Sequence, residues 1–373
     1  MTEQPNDRRW ASRLVVVLLS LALGAVWLIP GVAINENRQP AAFPVVSGST
    51  LASAQFFREL DAALVDRLPA KTSTVAAVGS LLVGAGFTSS GAVFVGDGGR
   101  PYYAGDFTGA CANEAGVPEA LDRIAALRAS LADEGIGFVW AVAPNKSDTE
   151  RAALGVWGRQ LLACSDSIKD LVQTASTDAR SGVMTAYPQF AAAHAAGEEL
   201  YMFGDSHWNW RGGALFTGIL LDRLAAEGAA PAGLFEPEAV VGTGDIEHTD
   251  DLFALMGQTR TEPIEALETR RPGVTTSVEQ EDVRGFVVQH WESTGAVGFV
   301  PGRTLLLHDS YFGYDASILA PYFEDLTSVS LDISDDPGAI AREGGYDLVI
   351  VQQVQRSFPI YLSVVERAGW LRR

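Results

Sequence analysis

RTLLLHDS, residues 303–310, is an apolar run that stops abruptly at polar, reactive residues. An unbroken apolar stretch of this length suits a strand buried on both faces, as in a parallel sheet covered by helices on either side. Two more runs have the same character, IGFVWAVAP (136–144) and DLVIVQQV (347–354). Between and around them, segments at 117–134, 150–180, 187–196, 211–227 and 315–325 carry helical patterns. Strands alternating with helices predict an α/β domain of three layers, α/β/α, with a mainly parallel sheet. In such sheets reactive groups collect beyond the C-terminal ends of the strands.

Working outward, GAVFVGDGGRPYYAG (91–105) predicts a β-hairpin turned at Asp97-Gly98-Gly99. Residues 228–300 are rich in Gly, Thr and Glu and weakly periodic, and read as an insertion within a domain covering 91–373. Residues 35–90 read as a juxtamembrane connector and helix: 35–50 are polar with two prolines, and Leu51, Phe56, Leu60, Leu64 and Leu68 recur near helical spacing.

Ahead of these, Leu14–Ile34 runs for 21 residues without a charge. As a helix it spans ~32 Å, the hydrocarbon thickness of a bilayer. Arg8, Arg9 and Arg13 precede it and only Arg38 follows closely, so the positive-inside rule predicts a cytoplasmic tail at 1–13 and an extracytoplasmic body. The expectation is one transmembrane helix in the cell membrane; the alternative is a signal peptide cleaved after Gly31-Val32-Ala33.

Composition narrows the function. Hydrophobic residues at 47% against 20% charged exclude wholesale disorder. The formal charge of -19 makes nucleic acid an improbable partner, because so acidic a body repels phosphates. Two cysteines exclude a Cys-rich metal scaffold. In an exported domain Cys111 and Cys164 are expected to join, closing a loop worth roughly 3–4 kcal/mol on the chain-entropy model.

Two stretches carry chemistry. In Asp205-Ser206-His207-Trp208-Asn209 the acid and the imidazole stand two residues apart, so the carboxylate can hold one ring nitrogen and leave the other as a base. In Leu305-Leu306-Leu307-His308-Asp309-Ser310-Tyr311 a serine follows a buried strand, where α/β enzymes expose nucleophiles. Each alone is weak, since an isolated Asp-x-His is usually a surface turn or helix cap. Together they supply nucleophile, base and orienting acid in the order Asp, His, Ser. Asp205, His207 and His308 could be metal ligands, but no H-E-x-x-H or paired-cysteine spacing appears, and no metal is expected. No phosphate-cradling Gly-rich loop follows a strand, and no cofactor is expected. His194 and His248 read as solvated loop or helix histidines, and His290 as structural.

At these residues the sequence resembles the alginate O-acetyltransferase family of the AlgJ/AlgX type, whose domains have an SGNH-hydrolase-like fold. The resemblance runs in order along the exported part. Asn35-Glu36-Asn37-Arg38 with Phe43-Pro44 is similar to the family's opening, and Val93 to Gly98 followed by Tyr102-Tyr103 to its hairpin. Ala143-Pro144-Asn145-Lys146 is similar to its Pro-x-Lys strand end, Tyr201 to Asn209 to its Asp-x-His-Trp motif, Leu305 to Tyr311 to its serine-bearing strand, and Val349 to Ser357 to its late strand. It differs at His308, where a glycine is common, at Gln355-Arg356-Ser357, which replaces Glu-Arg-Ser, and at Asp250-Asp251-Leu252, loosely similar to a Gly-Asp-Leu motif.

The resemblance implies Ser310 as nucleophile, His207 as base and Asp205 as its orienting acid, with a permuted SGNH topology. It implies transfer of an acetyl group through an acetyl-serine onto hydroxyls of a polysaccharide acceptor, with a multi-pass membrane acyltransferase delivering the acetyl group. Oxyanion or substrate-binding candidates are Asn145, Lys146, Tyr311 and Arg356, together with the Ser310 amide; Lys146 and Arg356 either hold an anionic sugar or stabilise the site. The rival readings are an esterase of the same fold and a non-catalytic polysaccharide-binding or assembly protein.

Overall fold

A computed structural model describes residues 43–45, 56, 57, 59–61, 63, 91–283, 286–313, 315–331 and 345–367. The predicted transmembrane segment, the cytoplasmic tail and most of the connector lie outside the described residues. Among the described residues no helix is long and apolar enough to cross a membrane. The chain divides into two units, Met1–Ser90 with Phe253–Arg260, and Gly91–Leu252 with Thr261–Arg373. The second carries the fold described below.

It begins with an antiparallel hairpin, β1 (Val93–Val95) and β2 (Pro101–Tyr103). The turn between them needs left-handed backbone at Gly98 (φ 69°) and Gly99 (φ 77°), which only glycine adopts without a Cβ clash. Helices α1 (Gly105–Asn113) and α2 (Val117–Asp133) follow, then the first apolar run as β3 (Gly137–Ala143). The helical stretch expected at 150–180 is broken into a 3-10 turn (Arg151–Leu154), a short helix (Gly155–Gln160) and α3 (Ala163–Ser176). Next come β4 (Val183–Thr185), α4 (Tyr187–Ala195) and α5 (Trp210–Ala226).

Residues 228–300, read from sequence as an insertion, build four strands. β5 (Val240–Thr249) and β6 (Thr261–Thr269) form a separate antiparallel pair, while β7 (Val274–Val283) and β8 (Phe286–Gly295) join the main sheet. The remaining strands are β9 (Val300–His308), β10 (Phe323–Ser330) and β11 (Leu348–Val354). Helix was expected over 315–325, but only Ala316–Leu319 is α-helical, and Phe323 opens β10.

The seven-stranded sheet has the order β4-β3-β11-β9-β10-β8-β7. Its first five strands are mutually parallel, whereas β8 runs antiparallel to β10 and β7 antiparallel to β8. The sheet is therefore mixed but mainly parallel, as expected, with an antiparallel hairpin added at one edge. β7 and β8, interrupted by polar residues, lack the continuous apolar signature because an outer hairpin does not need it.

Strand alternation sends side chains into two cores. Val139, Ala141, Leu306 and Ile350 face one that also takes Phe216, Leu220 and Leu224 of α5. Trp140, Val142, Leu305, Leu307 and Val351 face the other, with Ile124 and Leu127 of α2 and Ile168 and Val172 of α3. Burial on both faces explains why the three central strands read as unbroken apolar runs. Because β3, β11 and β9 are adjacent and parallel, their C-terminal ends bring Asn145-Lys146, Gln355-Arg356 and Asp309-Ser310 to one edge of the sheet.

Candidate active site

The strand-to-turn transition that presents Ser310 is made by its neighbour. The Asp309 carboxylate accepts the Tyr311 amide (3.0 Å) and, across the strand gap, the Val354 amide (2.6 Å). Those bonds close a 3-10 turn over Ser310–Phe312 and tie it to the end of β11. Ser310 is left half-buried, with Tyr311 and Phe312 driven into the core below it. His308 points elsewhere: its Nε2 pairs with Ser328 Oγ at 2.9 Å.

The second stretch, 201–209, folds back on itself through a Tyr201–Trp208 bridge. Asn209 then caps α5, its side-chain oxygen accepting the amides of Arg211 (3.0 Å) and Gly212 (3.1 Å). The loop is held to the sheet edge from both sides. Lys146 donates to the carbonyls of Met202 (2.8 Å), Phe203 (2.7 Å) and Asp205 (2.8 Å), and Tyr311 Oη donates to the Ser206 carbonyl at 2.6 Å. Trp208 packs against Tyr311 and Phe312, with ring centroids 5.1 and 5.8 Å away.

This arrangement brings three side chains from distant sequence into one line. His207 Nδ1 lies 2.6 Å from Asp205 Oδ1, and His207 Nε2 lies 2.9 Å from Ser310 Oγ. With the Nδ1–H donating to the carboxylate, Nε2 is left to accept the serine hydroxyl proton. Burial by itself favours a neutral Asp205, but the His207 charge and the hydrogen bonds from both His207 and His248 outweigh it and hold the carboxyl well below its usual range. Burial likewise disfavours a charged His207, and the Asp205 carboxylate overrides that and raises the imidazole pKa.

The other sequence candidates stand close by, already engaged with protein groups. Asn145 is fully buried, donating to Asp148 Oδ2 (3.0 Å) and accepting the Arg356 amide (3.0 Å). All three Lys146 protons lie on carbonyls, and burial lowers its pKa to about 8. Arg356 donates to Tyr311 Oη (3.0 Å) and Asp106 (3.4 Å), with its guanidinium over the rings of Tyr103 and Tyr311. These cations brace the loop and the turn. Cys111 of α1 and Cys164 of α3 are bonded, with Cα atoms 4.9 Å apart.

Two participants were not anticipated. His248 lies at the end of β5, not in a solvated loop or helix, and its Nε2 is 2.7 Å from Asp205 Oδ2. Asp251 donates its amide to the same oxygen (3.2 Å), while its carboxylate accepts the Ser206 amide (2.8 Å) and hydroxyl (2.6 Å). The loose Asp250-Asp251-Leu252 motif was the available signal for this corner. Asp205, His207 and Asp251 offer ligand atoms within 4.8 Å of one another, the described residues nearest to a metal triad. Every carboxylate oxygen among them already accepts an N–H or O–H, so the cluster reads as a hydrogen-bonded network.

Residues 93–286 match the family model of the SGNH hydrolase-like domain of the acetyltransferase AlgX. Among solved structures, Bacillus cereus PatB1 with a sulfonyl adduct superposes with a TM-score of 0.54 at 14% identity, over 71% of this chain and 94% of that one. The O-acetyltransferase domain of Pseudomonas putida AlgJ gives 0.47 at 14% identity, over 72% and 92%. Pseudomonas aeruginosa AlgX gives 0.46 at 13%, over 75% and 68%. At such identities the PatB1 match speaks for the fold alone. No curated protein sequence matches the chain. With its family domain spanning more than half its length, the chain belongs to the AlgX family of SGNH-hydrolase-like acetyltransferases.

Proposed function

We propose that this protein is an extracytoplasmic O-acetyltransferase that moves an acetyl group through an acetyl-serine onto hydroxyls of a polysaccharide. The observation that carries the reading is the unbroken hydrogen-bonded chain from Ser310 Oγ to His207 to Asp205, at 2.9 and 2.6 Å. Asp205 and His207 are only 1% and 4% exposed, so their hydrogen bond is shielded from bulk water.

In this mechanism Ser310 Oγ attacks the acetyl carbonyl carbon of the donor as its proton passes to His207 Nε2. The donor's C–O bond then breaks, and the departing oxygen takes that proton. A sugar hydroxyl next gives its proton to Nε2 and attacks the acetyl-serine, and Ser310 leaves with the proton returned. Asp205 stays ionised throughout and stabilises the transient imidazolium. The oxyanion needs donors ~2.7–3.1 Å away. Because Asp309 holds the Tyr311 amide, the Ser310 amide is the better oxyanion donor of that pair.

The extracytoplasmic setting rests on the apolar run at 14–34 and the arginines ahead of it. Such a setting calls for a membrane acyltransferase partner to deliver acetyl groups and leaves the catalytic domain tethered beside it. The test is product analysis after incubation with an activated acetyl ester and an oligosaccharide. Acetylated sugar is expected, lost on the order of a thousand-fold or more in Ser310→Ala and His207→Ala. Free acetate alone would make it an esterase, neither product a binding protein. Activity retained by Ser310→Ala would overturn the nucleophile assignment.

A further inference from the structure

His248, in β5 of the separate antiparallel pair, reaches Asp205 from outside the main sheet. Asp205 Oδ1 faces His207, receiving both its Nδ1–H (2.6 Å) and its amide (2.9 Å). Oδ2 faces the other way and receives His248 Nε2–H at 2.7 Å, beside the longer Asp251 amide bond of 3.2 Å. One carboxylate is thus clasped between two imidazoles.

We propose that His248 is a positioning residue, which acts on Ser310 through Asp205 and His207; this rests on the triad reading above. Two physical effects follow from the geometry. A carboxylate anchored only at Oδ1 can swing about its Cβ–Cγ bond, and the short bond to His248 fixes its plane, hence the orientation of the His207 ring. Secondly, a proton on His248 withdraws negative charge from Asp205 and makes His207 a weaker base. The groups facing His248 are Asp205, His207, Asp250 and, across the β5–β6 pair, Glu262. The hydrogen bond to Asp205 raises the His248 pKa despite partial burial.

The experiment measures Ser310 sulfonylation by a sulfonyl fluoride against pH in the full chain, a readout independent of donor and acceptor. His248→Gln keeps an N–H for Oδ2 but cannot carry charge. Its plateau rate is expected within about three-fold of wild type, with the acid-limb midpoint moved to higher pH. His248→Ala should move the midpoint the same way and lower the plateau about ten-fold, the size of one lost oriented hydrogen bond. An unchanged midpoint in His248→Gln, or an unchanged plateau in a folded His248→Ala, overturns the proposal. Should His248→Ala not fold, the His248→Gln midpoint decides. Undiminished labelling of Ser310→Ala would instead bring down the triad reading, a result separable from either of these.

Discussion

Lys146 illustrates what a single residue contributes here. An ammonium buried to 1% exposure is costly, and three carbonyls compensate it by accepting all of its protons. Lys146→Met keeps the bulk but strands those carbonyls, so a loss of about 3 kcal/mol or more in denaturant unfolding is expected. Unchanged stability would show that the lysine does not pin the loop. At His207 the sign of the pH dependence is fixed by its surroundings. Its base must be neutral, and Asp205 raises its pKa above the usual 6.5 despite burial. Activity should therefore fall as pH drops, with a midpoint above 6.5, and the midpoint belongs to the His207–Asp205–His248 set jointly. A pH–rate profile with its acid midpoint below 6.5 would contradict this assignment.

Elements set the line-up of those residues. Helix α5 starts immediately after the Asp-x-His segment, and Asn209 fixes where, accepting two of the amides a helix start leaves unpaired. Asn209→Ala should cost about 1 kcal/mol in thermal or chemical unfolding. The Cys111–Cys164 bond joins α1 to α3 on the face carrying Ile168 and Val172. Removing it by Cys111→Ser with Cys164→Ser should lower stability by roughly 3–4 kcal/mol, because the unfolded chain regains a long loop. Peptide mapping without reductant should recover the two cysteines as one linked pair, and free alkylatable thiols in exported protein would rule the linkage out. Neither change touches Ser310, so labelling of that serine should persist in both variants while they remain folded.

At the scale of the whole molecule, the chain carries a formal charge of -19, with its acidic body following a stretch of arginines and an apolar run. That polarity accounts for a chain expected to remain in the membrane with its domain outside. N-terminal sequencing of membrane-purified protein should return residues ahead of Leu14; a mature start near Ile34 would mean a cleaved signal peptide instead. Within the domain, the order β3-β11-β9 makes three strand ends neighbours although the strands lie at 137, 348 and 300 in the chain. That crossover order brings Asn145-Lys146, Gln355-Arg356 and Asp309-Ser310 to one edge of the sheet.

Much of this was legible in the residues. The runs at 136–144, 303–310 and 347–354 are apolar on both faces, as strands buried under two helical layers require, so their strand character was legible while their order in the sheet was not. Asp205, His207 and Ser310 stood out only as a set, since an Asp-x-His pair or a serine after a strand is weak alone, and the structure places the three side chains within hydrogen-bond reach. What remained hidden depends on neighbours distant in sequence. β7 and β8 are outer strands with polar faces, so their pattern resembles that of a loop, and β10 follows a helical turn without a break in its apolar residues. The histidine that sequence reading left in solvent, His248, meets Asp205 across 43 positions, and Lys146 meets its three carbonyls across more than 50. Local periodicity records which face of an element is buried; it carries no record of which polar group waits on the other side, and packing alone decided that.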